Sequence, residues 1–163
     1  MEMSLSPRQH ADARIECVEW RAIDAAALAE QCAGAVAARF ARARGGVAVL
    51  FTDAEEMRSL NKVYRDKDRP TNVLSFPADD YTLHTQGFLG DIALGYEPCR
   101  DEAQALAISL ESHAAHLLIH GMLHLIGYDH QADDEAAEME RSEVDILAGL
   151  GIADPYRDPA EKE

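Results

Sequence analysis

The stretch HGMLHLIGYDH, residues 120–130, obliges a helix to stop in its middle. His120 and His124 are four residues apart, so on a helix they lie nearly in line on one face. His130 comes six residues later, and a continuing helix would carry it away from the other two. Gly127 stands between them, and glycine accepts the left-handed backbone that terminates helices. The chain then turns through Gly127, Tyr128 and Asp129 and swings His130 back. Three neutral imidazoles and one open position make a catalytic zinc site, because the vacant corner holds water; a closed structural site usually shows four ligands with several cysteines. The reading is a metal centre of His120, His124 and His130, one ion per chain, on a central helix and the turn after it. Imidazole ligands also suit nickel, copper and iron.

Two neighbours have open roles. His116, one helical turn before His120, reads either as support for a ligand or as a packed or solvated histidine. Asp129 either orients an imidazole N–H or forms a turn. The histidine spacing also occurs in metzincin proteases, H-E-x-x-H-x-x-G-x-x-H, where the glutamate is the general base. Here that position is Gly121. The metal spacing is kept and the protease's base is missing, which argues against peptide hydrolysis.

Outward from the motif, the rest of the chain alternates strands and helices. RIECVEW (residues 14–20) alternates apolar and polar side chains and predicts a first strand. Asp24 can cap a helix carrying Leu28, Cys32, Val36 and Phe40, ended by Gly45-Gly46. The apolar run 47–51 predicts a buried strand. Thr52 to Glu55 has capping-box spacing for a helix with Met57, Leu60 and Tyr64, ending near Arg65. Residues 71–76 and 88–95 predict two further strands, with a flexible loop at 78–87. Pro98 suits the first turn of a helix running to about Ile108. Ser112 can cap the histidine helix, and Asp133 opens a last one with Met139, Val144, Leu147 and Leu150. The expected architecture is α+β: a small mixed sheet of about four strands with about five helices. It is read as a single domain over residues 1–163, fraying from about 154.

The composition is that of an ordinary water-soluble domain, 47% hydrophobic and 28% charged. No run of about eighteen apolar residues suggests a membrane span. The first residues lack the apolar core of a signal peptide, so a cytoplasmic location is expected. Cys17, Cys32 and Cys99 are far apart and odd in number, which predicts buried thiols rather than a disulfide framework. The net charge of -15 argues against a nonspecific nucleic-acid binder. The charge is uneven: residues 131–163 hold eleven acids against Arg141, Arg157 and Lys162, while residues 39–72 hold eight bases against five acids. A polyanionic substrate should approach the second region.

HGMLHLIGYDH, LNKVYRDKDRPTNVLSFP and GDIALG together resemble the YbeY family of bacterial endoribonucleases. The resemblance runs from roughly Val47 to Tyr156 and includes DDEAAEME and DPY; the first 45 residues match only in general character. It implies an α+β fold, zinc held by His120, His124 and His130, and cleavage of single-stranded RNA. It further implies 3′-end maturation of small-subunit (16S) ribosomal RNA and a part in ribosome quality control. A small-subunit ribosomal protein and the Era GTPase are the implied partners, with no membrane or DNA. The family's important arginine falls on Arg65, so Arg65 and His120 are the expected catalytic residues. A guanidinium grips two phosphate oxygens at once. Arg58, Lys62, Lys67 and Arg69 read as cations tracking an RNA backbone or as solvated surface charge. Asn72 and Ser75 read as lining the groove, although Thr71-Asn72 equally reads as a strand start. The other two readings are a metal-dependent hydrolase of another class, such as a metzincin-like protease, and a non-enzymatic ribosome assembly factor.

Overall fold

A computed structural model of the chain describes residues 10–129 and 132–156. His130, the third expected ligand, and residues 157–163 of the expected tail lie outside them. The architecture is α+β, with four strands and six α-helices among the described residues. The strands are β1 (Ala11–Ile15), β2 (Gly46–Thr52), β3 (Val73–Pro77) and β4 (Phe88–Gly95). The helices are α1 (Ala25–Arg39), α2 (Ala54–Arg65), α3 (Asp80–Gln86), α4 (Tyr96–Leu106), α5 (Leu110–Leu125) and α6 (Asp133–Gly149). The sheet runs in the order β1-β2-β4-β3; β1, β2 and β4 are parallel, and β3 lies antiparallel on β4 at the edge. Among the described residues no helix is long and apolar enough to cross a membrane.

Strand alternation sorts the side chains. Val47, Val49 and Phe51 of β2 with Ile92 and Leu94 of β4 face the main core, which α1, α5 and α6 complete. On the other face Leu74 and Ala93 pack with Met57 of α2 in a smaller cluster. The three cysteines are buried free thiols, as expected. Burial pushes all three thiols up, Cys17 to about 11 and Cys32 to about 12.

Several local expectations give way to tertiary contacts. The predicted first strand shifts upstream, and residues Val18–Ala22 form a 3-10 turn instead. Trp20 causes this: it is fully buried and its indole N–H donates to the Thr52 carbonyl at 2.9 Å, so the backbone curls to deliver it inward. Helix α1 ends at Arg39, well before Gly45-Gly46, because Phe40 is extended. Gly45 serves close approach instead, since a Cβ there would lie 1.9 Å from the Gly87 carbonyl. The cap of α2 is Asp53, accepting from the Glu56 N–H at 2.9 Å; Thr52 donates to the Glu56 carboxylate. Ser109 rather than Ser112 caps α5, accepting the Ser112 N–H at 3.0 Å. The expected flexible loop contains α3, capped by Asp79 and closed by Gly87 at φ +67°. Asp154, Pro155 and Tyr156 are docked rather than frayed, as described below.

Candidate metal and phosphate site

Helix α5 packs directly on the sheet at Gly121. A Cβ at Gly121 would meet Ser75 Oγ at 3.0 Å and Ile92 Cδ1 at 3.2 Å. Ser75 instead donates to the Gly121 carbonyl at 3.2 Å. Position 121 therefore faces strands β3 and β4, where a glutamate would not fit without displacing them. The close seat brings the edge strand beside the helix's histidine face. Between them opens a cleft of about 670 Å³ lined by Arg65, Asn72, Ser75, His120, His124 and Asp129, together with Val73, Pro77, Gly127 and Tyr128.

Each histidine has one nitrogen committed. His120 Nδ1 lies 2.7 Å from Glu143 Oε2. His124 Nδ1 lies 2.9 Å from the Tyr128 carbonyl. Both acceptors lack a proton, so both Nδ1 atoms carry the hydrogen and both Nε2 atoms present lone pairs. Those two Nε2 atoms are 3.1 Å apart. Two lone pairs at that distance repel unless a cation lies between them. Nitrogen ligands about 2.0–2.1 Å from one tetrahedral zinc sit at a similar separation. The donor set thus fits a zinc ion, with His130 beyond the described residues; among these no cluster of three ligating groups occurs.

The turn after α5 makes the second commitment possible. Gly127 adopts φ +106°, a conformation that side chains rarely tolerate. The chain folds back there: the Tyr128 N–H donates to the Leu123 carbonyl at 3.0 Å, which aims the Tyr128 carbonyl at His124. The Tyr128 ring is pinned from outside by Phe40, at a centroid distance of 5.6 Å, and by the Arg42 guanidinium at 5.2 Å.

Glu143 escaped the sequence reading. It is fully buried on α6 and accepts from three donors: His116 Nε2 at 2.8 Å, His120 Nδ1, and the Tyr156 hydroxyl. Burial alone would raise its carboxyl; the bonds from His116, His120 and Tyr156 outweigh it and hold the group down to about 2. A signal existed. Glu143 falls four residues from both Met139 and Leu147 on the buried stripe of α6, so helical geometry requires a carboxylate inside the core. Of the two open roles, His116 supports His120: it binds the same carboxylate, Glu143, and its ring meets the His120 ring edge to face at 6.4 Å. Asp129 lines the cleft.

The basic residues divide. Arg65 ends α2 and lines the cleft; among the described residues it forms no ion pair. Arg58 is held by Asp68 at 2.6 and 3.2 Å, on the surface. Lys62 and Arg69 are exposed and are not among the residues lining the cleft; the Arg69 carbonyl instead accepts from Asn61 Nδ2 at 2.9 Å. Asn72 is fastened on both sides: its Nδ2 donates to Glu102 at 3.0 Å and its Oδ1 accepts the Val73 N–H at 2.7 Å.

Residues 10–151 match the family model described as Endoribonuclease YbeY. The chain is 48% identical over 148 residues to the Endoribonuclease YbeY of Erythrobacter litoralis, covering 86% of this chain and 91% of that one. It is 46% identical over 155 residues to that of a Chelativorans species, covering 93% and 95%. The solution structure of TM1509 from Thermotoga maritima has the same fold: TM-score 0.55 at 23% identity, covering 90% of this chain and all of that one.

Proposed function

We propose that this chain, which belongs to the YbeY endoribonuclease family, is a zinc-dependent nuclease that cuts single-stranded RNA in the cleft between α5 and β3. Endoribonucleases break RNA phosphodiester bonds, so the cleft must hold a phosphate and stabilise the charge that gathers on its oxygens. The observation that carries the zinc reading is the convergence of His120 Nε2 and His124 Nε2 at 3.1 Å, with both opposite nitrogens committed. His120, His124 and His130 would hold the ion. Zinc bound there supplies Lewis-acid polarisation of a phosphoryl oxygen and lowers the pKa of a bound water toward about 7.

This chain's own residues do the rest. Arg65, on the same cleft and unpaired among the described residues, offers a forked pair of N–H donors to two phosphate oxygens. Such donors stabilise the transition state where charge develops. Ser75 and Asn72 shape the wall opposite the histidines; their polar atoms are engaged with Gly121 and Glu102, which fixes the wall's outline. Asp129 is the one carboxylate among the described residues that line the cleft, and it is the candidate to take a proton from a nucleophile.

The physiological substrate in this proposal is the 3′ end of small-subunit (16S) ribosomal RNA, matured and checked in the cytoplasm. A protein of net charge -15 gains little from nonspecific attraction to RNA. Partners such as a small-subunit ribosomal protein and the Era GTPase would therefore supply position. A protease reading has less support, since position 121 faces the sheet and cannot carry the required glutamate. The test sets wild-type protein beside His124→Ala, each with measured zinc content, on a labelled single-stranded RNA spanning that 3′ end and on a peptide. RNA cutting that disappears together with zinc supports the proposal. Peptide cutting, or RNA cutting that survives full loss of metal, overturns it.

A further inference from the structure

After α6 the chain turns through Asp154, Pro155 and Tyr156. The Tyr156 N–H donates to Asp154 Oδ1 at 2.8 Å, closing an Asx-type turn. Proline between them restricts φ, so the turn's shape is set locally. What the turn presents to the body of the protein is the Tyr156 hydroxyl. It donates to Glu143 Oε1 and lies 3.2 Å from His116 Nε2. The His116 and Tyr156 rings meet edge to face at 5.3 Å. Tyr156 remains 45% exposed, so ring burial contributes little to this seat and the polar contacts define it.

Glu143 has two oxygens, and they are used differently. Oε1 receives the donors from His116 and Tyr156; Oε2 receives His120 Nδ1. With Oε1 doubly engaged, the carboxylate is held in one orientation, with Oε2 left to His120. That keeps His120 protonated on Nδ1 and leaves its Nε2 lone pair facing His124. We infer that the Asp154-Pro155-Tyr156 turn is a latch: through Glu143 it fixes the tautomer and direction of His120, and so sets how tightly the cleft holds its metal. The inference rests on the zinc reading above for its second half only. Tyr156 is a positioning residue, since it does not line the cleft.

The test uses full-length wild type, Tyr156→Phe and Glu143→Gln, with three readouts. These are nitrogen-15 NMR of the imidazoles in metal-free protein, zinc affinity by chelator competition, and the thermal unfolding midpoint. Wild type should show His120 as a single Nδ1–H tautomer. In Y156F that signature should mix, with zinc affinity falling about 3- to 10-fold, and in E143Q it should fall about 10- to 100-fold. Y156F with a wild-type tautomer signature and wild-type zinc affinity overturns the latch. A lower unfolding midpoint with an unchanged tautomer also overturns it, by making Tyr156 merely structural. If wild type binds no zinc, the functional reading fails, while the metal-free tautomer comparison still decides the latch.

Discussion

Two of the carboxylate–imidazole pairs on helix α5, His113–Glu102 and His120–Glu143, have opposite fates. Near its start, His113 Nε2 lies 2.7 Å from Glu102 Oε1. The remaining nitrogen, His113 Nδ1, is buried and has no hydrogen-bond partner among the described residues. Glu102 also receives Asn72, so this pair braces the start of β3 against α4 and α5. Near its end, His120 Nδ1 meets Glu143 at the same 2.7 Å, but its remaining nitrogen faces the cleft and a second imidazole. The pairs engage opposite ring nitrogens, Nε2 in His113 and Nδ1 in His120, and so send the second nitrogen to different surroundings. A carboxylate fixes which nitrogen carries the proton, and the fold decides whether the other nitrogen meets apolar core or a cleft.

Removing the second imidazole that the cleft-facing pair meets should have the largest effect. His124→Ala is expected to lose zinc and to bring RNA cleavage to background, read by metal analysis and gel assay on one sample. Arg65→Ala should keep zinc and lower the cleavage rate by about 10²- to 10³-fold, the range for removing one donor from a developing oxyanion. Loss of zinc in that variant would reassign Arg65 to folding of the site. Next to the cleft-facing pair, Gly121→Ala should destabilise the fold by about 1–3 kcal/mol through overpacking against Ser75 and Ile92, measured by denaturant unfolding. His113→Leu sharpens the comparison most directly. It removes an unpartnered buried nitrogen, so stability should change by less than about 1 kcal/mol, because that loss offsets the loss of the Glu102 bond. Zinc affinity should not change; a weaker affinity would mean the brace also serves the metal. The smallest effect is expected for Arg58→Ala, whose guanidinium is occupied by Asp68 on the surface; a few-fold change in cleavage at moderate salt is the most it should produce.

The helix break at Gly127 was legible because its physics is local: a four-residue repeat and one residue suited to positive φ. Residues scattered over some sixty positions, Arg65, Asn72, Ser75, His120, His124 and Asp129, line one cleft, and the family motifs that single them out are short and contiguous. The brace and the latch were not legible in the same way. Glu102, Glu143 and Tyr156 matter through partners 11 to 30 residues away in the chain, and no local periodicity encodes such a pairing. The misread elements share that cause. Trp20 bends its segment to reach Thr52, and Gly45 meets Gly87, a residue far along the chain.

By itself the sequence determined most of the element types, the mixed α+β class, the line of imidazoles on one helix face and the family that those motifs mark. Each depends on spacing within a single element, which backbone geometry converts directly into direction. The tertiary structure alone decided which nitrogen of each imidazole faces the cleft, which cations stand in it, and that the C-terminal turn reaches back to Glu143. Those outcomes depend on where a second element lies, and burial enforces them: a carboxylate of α6 buried against α5 must find donors around it, and those it finds are His116 and His120 of α5 and Tyr156 of the turn after α6.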